Sequence, residues 1–156
     1  MTEGFSHLDE AGAARMVDVA GKDVTVRTAV AEGRVDLSAE CVALLRGEGL
    51  PKGDVLAVAR VAGIMAAKRT PDLVPLCHPI AVHGVAVDLV VDDEGVAVTA
   101  TVRTADRTGV EMEALTSVVV ACLTVVDMTK SVDPRGTIGG VRVLSKTGGK
   151  SGSWER

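Results

Sequence analysis

The longest patterned stretch of the chain runs from Thr108 to Pro134, where Val, Ala, Leu, Met and Cys fill almost every position between Val110 and Asp127. Such a run predicts a helix buried on most sides. Thr108 and Glu111 have capping-box spacing, which places the helix start at Thr108. Its polar groups are confined to the ends: Glu111 and Glu113 at one, Asp127 and Lys130 at the other. At the helical rise Glu111 and Asp127 stand about 24 Å apart. One small site cannot use both ends of one copy, so joint use of the two clusters requires a site shared between subunits.

The rest of the pattern is shorter-ranged. Residues 1–13 are small and polar, and no ordered start is expected before Arg15. Met16 to Val19 suits a short strand, and Val24 to Leu37 a strand interrupted near Gly33. Ser38 is positioned to cap a short helix ending at Gly47 or Gly49. Asp54 similarly caps a longer helix, Val55 to Lys68, stopped by Thr70-Pro71. The proline-rich stretch Pro71 to Pro79 suits neither regular helix nor central strand. Val82 to Val91 and Val96 to Thr104 flank Asp92-Asp93-Glu94-Gly95 as a hairpin, with valines alternating on one face of each strand. Val141 to Lys146 makes a last strand before a glycine-rich tail. Apart from the first short helix, the order is strand, helix, strand, strand, helix, strand. This is the α+β, ferredoxin-like split βαβ arrangement, an antiparallel sheet with helices on one face. Several strands read as apolar on both faces, which predicts oligomerisation across the open face.

Length suits one domain, taken as residues 14–146 with a flexible start and a tail over 147–156. The 47% apolar content comes with one Phe, one Trp and no Tyr. With no aromatic platform in the body of the domain, stacking on single-stranded nucleic acid is disfavoured. The net charge of −4 is uneven: residues 127–156 carry six Lys or Arg against three acids. A local cationic region on an acidic protein suits a small anionic metabolite better than a DNA backbone. Cys41, Cys77 and Cys122, odd in number and set in apolar surroundings, read as reduced packing thiols of a cytoplasmic protein. There is no signal-like apolar segment at the N-terminus, and the long helix is better explained as a core helix than as a membrane span.

Candidate chemistry is scattered. His78 sits between Pro75 and Pro79, whose rigidity suits presentation of a side chain, although a lone histidine is more often structural. Cys77 beside it lacks a second ligand pair at zinc spacing, so no metal or other cofactor is expected. Lys52 precedes a helix N-terminus, where it either helps hold an anion or is a solvated loop lysine. Asp127 and Lys130 share a helix face and make either a surface ion pair or a site group tuned by partial burial. Lys146-Thr147-Gly148-Gly149-Lys150-Ser151-Gly152 fails the P-loop spacing and is open to reading as a phosphate-wrapping segment or a loose tail.

Taken in order, Met16-Val17-Asp18-Val19, Lys52-Gly53-Asp54, Lys68 to Ile80, Gly109 to Leu115, Asp127-Met128-Thr129-Lys130 and Lys146 to Gly152 resemble the cyclic pyranopterin monophosphate synthase family, also called molybdenum cofactor biosynthesis protein C. The resemblance covers nearly the whole chain. It departs only mildly, at Val126 and Ser131, where an aromatic and an alanine are usual. It implies a ferredoxin-like homohexamer, a trimer of dimers with sites at a subunit interface. The implied reaction rearranges 3′,8-cyclised dihydro-GTP to cyclic pyranopterin monophosphate with loss of diphosphate. By motif position it makes Asp127 and Lys130 catalytic, with Lys52 and Lys146 as further candidates. It places Leu76, Cys77, His78, Met112 and Glu113 along the substrate, and Arg27 and Lys68 near the phosphates.

Overall fold

The computed structural model describes residues 4–48 and 54–156. The strands are β1 (Thr25–Asp36), β2 (Gly84–Asp92), β3 (Gly95–Asp106), β4 (Thr137–Thr147) and β5 (Trp154–Glu155). The helices are α1 (Ala39–Ala43), extended by one wider turn over Leu44–Glu48, then α2 (Val55–Ala67), α3 (Thr70–Leu73) and α4 (Glu111–Thr129). One antiparallel sheet has the order β2-β3-β1-β4-β5. Its first four strands have the ferredoxin-like order, and α2 and α4 cover one face.

The alternation read from the sequence selects that face. Ala29, Ala31 and Val35 of β1, Val87 and Leu89 of β2, and Val96, Val98, Ala100 and Val102 of β3 form the core against Ala114, Val118, Ala121, Cys122 and Val125 of α4. By length and composition alone α4 is apolar enough to cross a membrane. Here those residues are spent on the sheet and on α2. Ser38 and Asp54 cap α1 and α2 as expected, accepting from Cys41 N at 3.3 Å and Ala57 N at 3.0 Å.

Five local expectations are corrected. Met16–Val19 is not a strand: it is an extended segment outside the sheet, because its hydrogen bonding goes to a side chain instead of a neighbouring strand. β1 is not interrupted at Gly33, which pairs with Val98 of β3; the irregularity is confined to the ladder with β4, whose register shifts between Glu32 and Arg34. Glycine is needed there because a Cβ would lie 2.7 Å from Val118 Cγ1 and 3.1 Å from Val141 Cγ2. The capping box does not form: Val110 is the N-cap without a side-chain bond, Thr108 Oγ1 donates to Gly109 O, and the Glu111 carboxylate folds back over Gly109. Pro71 does not simply stop α2. The helix turns at Arg69, and Pro71 sits in the first turn of α3, where a missing N–H costs nothing.

The fifth concerns the open sheet face, which is mixed and not apolar throughout. Arg34 forks onto Asp92 at 3.1 Å through two nitrogens, and Glu32 accepts from Arg142 Nε at 2.7 Å. The pair with Arg34 holds the Asp92 carboxyl down to about 2. Val26 of β1 and Val90 of β2 are exposed on that face, and Val58, Val61 and Met65 of α2 and Leu123 of α4 on the helical side.

The two ends of α4 lie at opposite ends of the sheet. A short link joins the end of β3, paired with the start of β1, to α4. Beyond its other end Asp133 accepts from Ser38 N, just past the end of β1, at 2.7 Å.

Candidate functional site

The rigid proline segment delivers its side chains to the start of α4. Cys77 Sγ donates to Glu113 Oε1 at 3.6 Å. Glu113 is 1% exposed, and its Oε2 has no hydrogen-bond partner among the described residues. Burial pushes the Glu113 carboxyl up, outweighing the hydrogen bonds that favour its charged form. Burial also raises the Cys77 thiol, to about 11, with the Glu113 charge and hydrogen bond adding to it. At neutral pH the thiol therefore keeps its proton and serves as a donor. A carboxyl raised by burial holds its proton to higher pH than an exposed one, which suits it to proton exchange with a ligand.

Beside Cys77 opens a cavity of about 880 Å³ lined by Leu76, Cys77, His78, Glu111 and Met112. The N-terminal segment contributes His7, Val17 and Lys22 to the same lining. His78 is oriented by the backbone: its Nε2 lies 2.5 Å from Val17 O, so this nitrogen carries the proton and donates.

A second cavity, about 450 Å³, is lined by Lys22, Arg27, Lys150 and Ser151. Lys22 lines both cavities, so they adjoin. Arg27 is buried despite its charge. Its Nε donates to Asp106 O at 3.1 Å, and its guanidinium occupies the place a side chain on Gly149 would fill. Lys146, opposite Ala29 in the ladder and also buried, donates to Ser151 Oγ. Three cations and a hydroxyl around a small hollow make an electrostatic fit for a phosphate chain.

The structure thus gathers Leu76, Cys77, His78 and Met112 at one cavity, with Glu113 buried behind Cys77 and outside the lining, and sets Arg27 and Lys146 beside the next. Three sequence-predicted residues stand apart. Lys68 is the C-cap of α2, exposed, and lines neither cavity. Asp127 and Lys130 form an i,i+3 ion pair of 2.7 Å at the far end of α4, with side chains 68% and 60% exposed. The partial burial expected for Asp127 is absent within one chain, because it lies on the outward face of α4, between Val125 and Thr129, which are both fully buried. Lys52 lies outside the described residues. No group of three or more His, Cys, Asp or Glu side chains able to hold a metal occurs among the described residues.

The sequence matches the profile of the MoaC family over residues 16–149. The chain belongs to the MoaC family. Its similarity extends to individual members: it is 70% identical over 152 residues to the cyclic pyranopterin monophosphate synthase of Streptomyces coelicolor, covering 97% of this chain and 89% of that one. It is 66% identical to the protein of that name from Nocardioides sp., covering 97% and 95%. It is 61% identical to cyclic pyranopterin monophosphate synthase 2 of Mycobacterium tuberculosis, covering 97% and 91%.

Two wall residues of this MoaC-family site went unnoticed in the sequence. Lys22 stands in an ordinary Gly-Lys-Asp turn, and only the fold shows it between two cavities. His7 belongs to a stretch whose composition gives no sign of order. A lysine or histidine in a short polar segment carries no periodic signal that could have singled it out.

Proposed function

We propose that this protein is a cyclic pyranopterin monophosphate synthase, a phosphorus–oxygen lyase acting in molybdenum cofactor biosynthesis. It converts (8S)-3′,8-cyclo-7,8-dihydroguanosine 5′-triphosphate to cyclic pyranopterin monophosphate and diphosphate. The observation that carries this reading is the near full-length identity to synthases of that name, joined to a ring-sized cavity that runs into a cationic hollow.

The chemistry divides along the same line. Ring opening and reclosure need groups that give and take protons, and Glu113, His78 and Asp127 are assigned to them. Cyclisation needs a sugar hydroxyl to attack the α-phosphorus, forming one P–O bond while the bond to the departing diphosphate breaks. The hydroxyl proton passes to a lysine acting as general base. Lys52, Lys130 and Lys146 are assigned here, with Arg27 offsetting the charge of the leaving diphosphate and Lys68, which lines neither cavity of its own chain, reaching it only across a subunit contact.

In one copy Asp127 and Lys130 lie a helix length from Glu113. The active assembly therefore brings the Asp127 end of one α4 to the Cys77–Glu113 cavity of another subunit. A hexamer built as a trimer of dimers, in the cytoplasm, without nucleic acid or membrane partners and without a cofactor, satisfies this. Exposed Val58, Val61 and Met65 on α2 offer apolar area for such contacts.

The deciding experiment incubates the purified protein with the 3′,8-cyclised nucleotide and follows the pterin by mass spectrometry together with diphosphate release. Product and diphosphate should appear in equal amounts. Nucleotide that binds but returns unchanged would replace the enzyme by a binding module of the same fold.

A further inference from the structure

The wall formed by the N-terminal segment has a property that the core does not explain. Residues 5–15 fold on themselves: Leu8 and Ala14 form an antiparallel bridge, Asp9 N donates to Ala13 O at 2.9 Å, and Arg15 N donates to His7 O at 2.8 Å. The Asp9 carboxylate accepts from Ala11 N at 2.9 Å and Ala13 N at 2.8 Å. This small hairpin adds nothing to the hydrophobic core, since Phe5 is 86% and Leu8 41% exposed. Its order is thus not a by-product of packing. The segment is instead fastened at the cavity, where Val17 O meets His78 Nε2, and it holds His7 in the cavity wall.

Of the side chains that the segment from Ser6 to Lys22 adds to the cavity, only His7 and Lys22 are ionisable. His7 lines the same cavity as Cys77, Glu111 and Met112. It also lies outside residues 16–149, over which the family profile matches. We infer that His7 is a substrate-binding residue, donating a hydrogen bond to the bound nucleotide, so that occupancy of the cavity fastens the N-terminal hairpin over it. The inference rests on the synthase reading above. Because the hairpin is held by its own turn, and the segment behind it by Val17 O on His78 Nε2 and Lys22 O accepting from Arg107 Nε, a ligand that joins His7 to the rest of the cavity lining must slow its opening.

The experiment compares steady-state turnover of the cyclised nucleotide by wild type, His7→Ala and His7→Gln. It is paired with amide hydrogen exchange of the hairpin in the Asp127→Ala protein, with and without that nucleotide. Loss of a hydrogen bond to a charged ligand should raise KM about tenfold or more with a smaller effect on kcat. Glutamine, which retains a donor, should recover part of it, and the melting temperature should not move because His7 is exposed. The amides of Ala11, Ala13 and Arg15 should exchange more slowly when nucleotide is bound. A His7→Ala protein with wild-type KM, or hairpin amides indifferent to nucleotide, overturns the inference while active wild type leaves the synthase reading standing. Inactive wild type overturns both.

Discussion

Replacing Gly33 by alanine should loosen α4 from the sheet. The new Cβ would lie 2.7 Å from Val118 Cγ1, about 0.8–1.3 Å inside the optimal carbon–carbon separation. Val118 cannot swing clear: it is 0% exposed, and a β-branched side chain in a helix has one strongly preferred rotamer. Val141 Cγ2 at 3.1 Å blocks relief on the other side. Overpacking of this kind costs about 1–3 kcal/mol, whereas alanine restricts the unfolded chain and returns about 0.4–1 kcal/mol. With relief blocked on both sides the cost belongs at the upper end of its range, so overpacking wins by about 2–2.6 kcal/mol, roughly 4–10 °C in melting temperature for a domain of this size. The assay is thermal and urea unfolding at fixed protein concentration, because an oligomer's stability depends on it. The Gly33→Ala/Val118→Ala protein should be more stable than the two single effects added together, since truncating Val118 removes the clash. A Gly33→Ala protein as stable as wild type, or strict additivity in the double variant, would refute the packing argument.

Other consequences concern the site. Glu113→Gln should flatten the pH dependence of stability: a carboxyl raised by burial stabilises the fold below its unfolded value of about 4.3 and loses that contribution as pH climbs through the raised one. Melting curves from pH 4 to 8 should therefore converge at the acid end and separate in favour of the Glu113→Gln protein toward pH 8; parallel curves would contradict the burial account. Mixing inactive Asp127→Ala and inactive Glu113→Gln subunits should restore part of the turnover if each site draws on two chains, and no recovery would place both groups in one chain's site. Arg27→Ala should raise KM about tenfold or more, since it removes a buried cation from the phosphate hollow; an unchanged KM would make Arg27 structural only. Phenanthroline treatment should leave turnover unaffected, and a stoichiometric loss would reveal a transition metal.

The alternation of valines in β2 and β3, the Ser38 and Asp54 caps, and the apolar run of α4 were legible because each is a local rule with a fixed period or spacing. Together they determined the sheet, its helix-covered face and the order of elements. The local rule failed at Thr108, where capping-box spacing is present but Glu111 turns back over Gly109, and at Gly33, whose role depends on a helix distant in the chain. The ordered motifs also carried the family and, with it, the residues expected at the site. Only tertiary structure could decide which of them meet. It placed the Cys77 thiol on a buried Glu113, set Lys22 between two cavities and folded His7 into a wall. It left Asp127 and Lys130 a helix length away, exposed in the single chain. Periodicity reports which face of an element is buried, because that depends on neighbours a few residues away. The approach of distant segments, and the burial that tunes a carboxyl or a thiol, depends on how the elements cross, and no local pattern encodes that.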